Sequence, residues 1–371
     1  MTDTGTAPVR ERRVPFWDNA RFICVTLVVI GHAIQRLTAD SDPAHVAYLF
    51  IYSFHMPAFA IISGYFSKAD PPNKRAMLRI ITDILIPYLI MESVWSLVQF
   101  LVEGRSDFNP STPSWTLWFL LALGIFRVIL PYLALLRWPL IISVIASVGV
   151  GYFANVDSTF SLSRAIGILP FFVLGWRARE WGIADRWLRL ERMLWMRVVA
   201  VAVLAAWVTV LTVYIDVWRR FELRFWFFFN DGYQELGEEE WWAGLIRLAV
   251  ILLAVVLCAA FLTLIPRRAS WLTPLGQGTM YVYLLHSFLL YPLRESGLLT
   301  IGYPSGSLLV LMVLAGIAIS IVLASPPVRR LFRPVIEPKP KWLFRAFDDA
   351  PTGHSRIDPT GSRRDRPAPR R

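Results

Sequence analysis

His32 and Arg21 stand eleven residues apart within one apolar run. Eleven steps of an α-helix make three turns plus about 20° and a rise of about 16.5 Å, so the two side chains share one face at two depths. A neutral imidazole, with an ordinary pKa near 6.5, can accept a hydroxyl proton at physiological pH. A fixed guanidinium can bind phosphate or stabilise developing negative charge. His55 and His286 lie in two further apolar runs. At 1.5 Å per residue from the expected ends of these runs, the three histidines sit about 16–18 Å from the inner boundary, which suggests a polar chamber at one level. Each group also has a plain structural use. A buried histidine can simply bond a backbone carbonyl, and an arginine at a helix end can snorkel to headgroups.

Other polar residues in apolar sequence carry less chemistry. Arg127, Arg247 and Glu92 fall within runs, and a buried arginine needs a partner, for which Glu92 is a candidate. Ser63, Gly64, Gly167 and Gly175 are small residues that let helices approach closely. Cys24 and Cys258 form no disulfide framework and no metal-ligand spacing, and read as small buried hydrophobes. No metal site is expected.

The elements that must position these residues are membrane helices. The chain has 371 residues, 56% hydrophobic and only 18% charged, with a net charge of +11 and a mean hydropathy of +0.49. Apolar runs near or above the roughly 18–20 residues that span a bilayer exclude an ordinary soluble domain, a disordered chain and a disulfide scaffold. The basic excess forms no compact nucleic-acid module, because it sits in loops and tails. Ten spans are expected, at about 20–37, 46–66, 78–100, 116–133, 138–154, 163–178, 198–216, 243–264, 275–293 and 306–325. The first stays as a helix, since no small-residue cleavage site follows it. Placing the N-terminus inside gives most loop Lys and Arg to the cytoplasmic side, including Lys68, Lys74, Arg75, Arg79 and the arginines of 177–197.

The expected fold is thus all-α: a polytopic integral membrane bundle of about ten transmembrane helices with both termini cytoplasmic. Residues 1–13 and the basic, Pro/Arg-rich tail 334–371 have little to bury and are expected to be disordered, leaving a transmembrane domain over 14–333. The outer loop 217–242 contains Phe225-Trp226-Phe227-Phe228-Phe229 and reads as interfacial or re-entrant.

A charged anchor at the cytoplasmic mouth with a base deeper in the membrane suits an elongated donor with a phosphate-bearing end and a reactive far end. Acyl-coenzyme A is such a molecule. The ordered motifs resemble the membrane-bound acyltransferase-3 family, within it the fucose 4-O-acetylase-like branch. They are Asp18-Asn19-Ala20-Arg21 with Val28-Val29-Ile30-Gly31-His32, then Phe54-His55-Met56-Pro57 with Ile62-Ser63-Gly64-Tyr65-Phe66. Trp115 with Leu117-Trp118-Phe119-Leu120, Leu169-Pro170-Phe171-Phe172 with Gly175, and Leu275-Gly276 with Tyr283-Leu284-Leu285-His286 follow. Phe22 departs from the pattern, where many relatives have glycine.

The resemblance implies a bacterial, multi-pass protein of the cytoplasmic (inner) membrane. Such a protein takes an acyl group, usually acetyl, from acetyl-CoA or another acyl-CoA as co-substrate. It delivers the group to a hydroxyl of a carbohydrate, glycolipid or other cell-envelope acceptor, with no nucleic acid involved. His32 and Arg21 would be the essential pair, His32 as general base and Arg21 on the coenzyme A phosphates or thioester. Ser63, Gly64 and Tyr65 would line the donor side. His55, His286 and Trp118 would shape the chamber. Direct transfer is expected, because neither Cys24 nor any serine has an activating partner in sequence. The rival is a transporter or exporter using intramembrane His and Arg, but Pro57, Pro87, Pro170 and Pro292 show no two-fold pattern.

Overall fold

Prolines and tight turns cut the apolar sequence into helices. The computed structural model describes residues 14–71, 73–104, 108–153, 155–190, 193–296, 305–338 and 343, and among these the chain is helical with no strands. The architecture below lies in the compact unit that ends at Pro338. Helix α1 (Pro15–Ile34) starts on a proline, whose missing N–H costs nothing in a first turn, and tightens into a 3-10 turn over Gln35–Thr38. Helix α2 (Asp42–Tyr52) is capped by Ser41, whose hydroxyl accepts the Ala44 N–H. Helix α3 (His55–Tyr65) resumes after a break at Ser53 and Phe54. Then come α4 (Lys74–Ile80), a π-helical turn at Ile81–Leu85, and α5 (Ile86–Glu103). Helices α6 (Trp118–Ala134), α7 (Pro139–Gly149), α8 (Leu162–Glu180), α9 (Ile183–Leu188) and α10 (Leu194–Val213) follow. The chain continues through α11 (Ile215–Arg220), α12 (Ala243–Leu264), α13 (Thr279–Glu295), α14 (Ser305–Ala324) and α15 (Pro326–Ile336).

Among the described residues, seven helical segments are long and apolar enough to cross a membrane. They are Pro15–Thr38, Asp42–Tyr65, Lys74–Glu103, Thr159–Glu180, Leu194–Val213, Ala243–Leu264 and Gly306–Ala324. Trp118–Ala134 and Pro139–Tyr152 are shorter apolar helices. Helix α1 is the axis of the bundle: it packs on α2, α3, α13 and α14 and buries most of its side chains. Its first turn is tied down by Asn19, which is fully buried. The Asn19 amide donates to the carbonyls of Pro266 and Arg268 at 2.9 and 3.0 Å, and its oxygen accepts from the hydroxyls of Ser270 and Thr273. The helix pair α3 and α8 meets at Gly64 and Gly175, where only glycine leaves room for the facing backbone.

The structure departs from the expectations for the second span, for Glu92 and for the start of the tail. The second span is not one helix: Pro57 has no N–H and its ring would clash with the Ser53 carbonyl, so α2 ends at Tyr52 and α3 restarts at His55. Glu92 does not pair with an arginine. Its carboxylate accepts the Ser114 N–H at 3.1 Å and the Ser114 hydroxyl at 2.5 Å. Arg247 instead donates to the Asp231 carbonyl at 3.1 Å among the rings of Trp226, Phe229 and Tyr233, while Arg127 feels the charge of Asp83. Within 217–242, Trp226, Phe227, Phe229 and Tyr233 are buried by protein. Finally, α15 carries helical structure past residue 333, with Ile336 fully buried and the Tyr281 hydroxyl donating to Glu337 at 3.0 Å. Residues 1–13 and nearly all of 339–371 lie outside the described residues.

Candidate active site

The break between α2 and α3 puts two rings, Tyr52 and His55, where a continuous helix would bury backbone. His55 donates from Nδ1 to the Ile51 carbonyl at 2.8 Å, which fixes its ring across the break. The buried thiols cover the same place: Cys24 donates to the His55 carbonyl at 3.2 Å, and Cys258 to the Phe54 carbonyl at 3.4 Å. Both cysteines are small buried residues, as the sequence suggests, whose thiols also touch carbonyls at the break.

His32 faces that break. Its ring lies 5.4 Å from the ring of His286 and 4.9 Å from that of Trp115, and its Nδ1 is 3.4 Å from the Tyr52 hydroxyl oxygen. Tyr52 stacks on Tyr48 at 3.9 Å. In the tautomer that carries hydrogen on His32 Nδ1, that hydrogen points to the Tyr52 oxygen and Nε2 keeps its lone pair. His286 is fully buried and donates from Nδ1 to the Val282 carbonyl at 3.0 Å, while its Nε2 meets no hydrogen-bond partner. An orphaned buried acceptor beside His32 asks for a function. His55 is close enough for its charge to be felt at His32, so the three histidines form one cluster.

The cluster lies deeper along α1 than the expected span implied. Helix α1 begins at Pro15, so His32 stands about 25 Å from its start and two residues from its α-helical end at Ile34. Arg21 lies toward the other end, its guanidinium 4.1 Å over the Phe66 ring and 3.7 Å from Asp18, with a third of the side chain exposed. Val25 and Val28 occupy the stripe between Arg21 and His32 and are both buried. The face is therefore shared but packed shut along its middle.

Residues 14–325 match the family model described as an acyltransferase domain. The chain belongs to the acyltransferase-3 family. No curated protein and no solved structure matches it. Read as a membrane acyltransferase, the molecule groups its candidate residues in two sets. His32, His55 and His286 come together. Ser63, Gly64 and Tyr65 form the last turn of α3 at the Arg21 end: Tyr65 stacks on Trp17 at 4.1 Å and donates to Asp185, while Gly64 is packed on the backbone of α8. Trp118 lies under the guanidinium of Arg164 at 4.5 Å.

Sequence reasoning missed the supports of this acyltransferase site. Tyr52, Gln35, Glu92, Arg164 and Arg294 have no unusual spacing, and only packing brings them in. Gln35 follows His32 by three residues, and its amide oxygen is buried with no hydrogen-bond partner. Glu92 holds Ser114 and so anchors Trp115, whose backbone sits at a strained φ of 31° with its ring against His32. Arg294 lies 5.1 Å over the other side of Trp115 and is neutralised by Glu295 at 2.8 Å. Trp115 itself belongs to a motif singled out above, although its contact with His32 could not be read from it.

Proposed function

We propose that the protein is an O-acyltransferase of the bacterial cytoplasmic membrane, with both termini cytoplasmic. It moves an acyl group, acetyl in the simplest case, from acyl-CoA to a hydroxyl of a carbohydrate or other cell-envelope acceptor. One observation carries the reading: His32 Nδ1 meets the Tyr52 hydroxyl and its ring lies 5.4 Å from that of His286, whose buried Nε2 has no partner, on the helical face that also bears Arg21. Arg21 binds the coenzyme A phosphates at the cytoplasmic end, and the seam at Val25 and Val28 parts to admit the thioester arm.

The chemistry follows from the proton positions. His32 Nε2 takes the proton of the acceptor hydroxyl as its oxygen attacks the thioester carbonyl. The imidazolium is stabilised through Nδ1–H donated to Tyr52. Collapse of the tetrahedral intermediate breaks the C–S bond, and the coenzyme A thiolate recovers the proton from His32. No acyl-enzyme is needed, and the two cysteines are unsuited to one because both thiols are buried and already donate to carbonyls.

Purified protein in detergent should bind acetyl-CoA and release free thiol when an envelope glycan extract supplies acceptor. His32→Ala should bind acetyl-CoA and release almost none. Full thiol release by that variant removes His32 as the base, and absence of acetyl-CoA binding by the parent protein removes the acyl-CoA reading. Mass spectrometry of envelope glycans from a deletion strain, searched for a missing acyl mass, then identifies the acceptor.

A further inference from the structure

Arg164 occupies a position that is unfavourable on several counts. It lies in the first turn of α8, at the positive end of the helix dipole, where a cation is disfavoured. The two residues before the helix, Phe160 and Ser161, adopt left-handed backbone conformations at φ 50° and 58° that side chains other than glycine rarely take. The Arg164 Nε is buried without a hydrogen-bond partner. Among the described residues, no carboxylate lies within 4 Å of its guanidinium. Asp231 acts on it only from further away, and its field covers the phenols of Tyr48, Tyr52 and Tyr283. Arg294, on the other side of His32, is different because Glu295 pairs with it.

A half-buried guanidinium whose Nε is buried and unpartnered is completed by an anion, which it can grip through two parallel N–H bonds. We propose that Arg164 binds a phosphate or carboxylate group carried by the acceptor, with the Trp118 ring as the floor of that subsite. The inference rests on the acyltransferase reading and deepens it, by making the acceptor an anionic, hydroxyl-bearing molecule such as a phosphorylated or uronic sugar. The field of Arg164 extends to Tyr52, whose hydroxyl oxygen is 3.4 Å from His32 Nδ1. Arg21 approaches the same histidine from the opposite end of α1. The two arginines therefore keep the charges of the two substrates apart, donor phosphates at Arg21 and acceptor anion at Arg164, with the reacting hydroxyl and thioester meeting between them.

The test uses full-length protein in phosphatidylcholine nanodiscs, titrated separately with glucose 1-phosphate, glucuronate, glucose and acetyl-CoA, with binding read by thermal stabilisation. The parent protein should bind the charged sugars about ten- to a hundredfold more tightly than glucose, the range of one charge-assisted contact. Arg164→Gln should erase that preference and leave acetyl-CoA affinity within about twofold, while Arg164→Lys, which keeps the charge should the first variant fold poorly, should retain part of it. Equal binding of charged and neutral sugars, no binding of either charged sugar, or a preference unchanged in Arg164→Gln overturns the proposal. Loss of acetyl-CoA affinity in Arg164→Gln also overturns it, because the arginine would then serve the donor. Failure of the parent to bind acetyl-CoA is a separate outcome, which overturns the acyltransferase reading itself.

Discussion

Gly64→Ala separates a packing role from a donor-lining role at the end of α3. A Cβ at this position would come well under 3 Å from the Phe172 carbonyl oxygen, 2.8 Å from the Phe172 carbonyl carbon and 3.1 Å from the Trp176 nitrogen, all backbone atoms of α8. Ordinary contact of this kind begins at 3.4 Å. The helices would have to part by about 0.6 Å at the carbon and by more at the oxygen. No side chain can rotate to relieve the clash, so the cost is expected at the upper end of overpacking, about 3 kcal/mol. Gly175 faces Ile61 in the same way, its added Cβ falling 2.7 Å from the Ile61 carbonyl carbon. Gly175→Ala should therefore behave alike, and the double variant should lose less than the sum of the two, since helices already parted for one methyl make room for the other. The assay is melting temperature and yield of monodisperse protein in detergent, with acetyl-CoA affinity measured per folded molecule. A fall of several degrees with unchanged affinity is expected. A Gly64→Ala protein that melts like the parent but binds acetyl-CoA tenfold more weakly would refute the packing argument and return Gly64 to the donor site.

Three further outcomes follow from the histidine cluster. His32→Ala should cut turnover by about 10²–10⁴, the usual contribution of a general base, and wild-type turnover in an acyl-transfer assay would contradict the assignment. Tyr52→Phe removes a long hydrogen bond of 3.4 Å. Its loss should cost about 0.5–1.5 kcal/mol, roughly two- to tenfold in kcat with little change in acetyl-CoA affinity; a loss as large as that of His32→Ala would make Tyr52 a direct participant. Glu92→Ala frees Ser114 from both its bonds to the carboxylate. Stability should fall by about 1–3 kcal/mol and Trp115 should lose its fixed place over His32, so kcat and melting temperature should drop together. A drop in melting temperature alone would show that Trp115 is held by its other ring contacts.

What the chain alone determines is what depends on near neighbours in sequence. Apolar runs of bilayer length are a local property, so every one of the ten expected spans contains helix in the structure. Helical periodicity is local too, and it sets Arg21 and His32 on one face of α1 before anything else is known. The limits of such reasoning show at the start of α1, where Trp17 stacks on Tyr65 and Asn19 bonds the 266–273 loop, so that the helix begins at Pro15 and His32 stands close to its far end. Contacts between helices follow no spacing rule. Glu92 turns to Ser114 rather than to an arginine, Gly64 packs on the backbone of α8, and Arg247 finds a carbonyl and three rings. Tyr52 and Trp115 reach His32 from different segments, because α2 stops at Tyr52 and because Glu92 holds the Ser114–Trp115 turn. The shared face of Arg21 and His32 was thus a matter of one helix and its period, whereas the hydrogen-bonded, cationic and aromatic surroundings of that face arise only from how the helices pack.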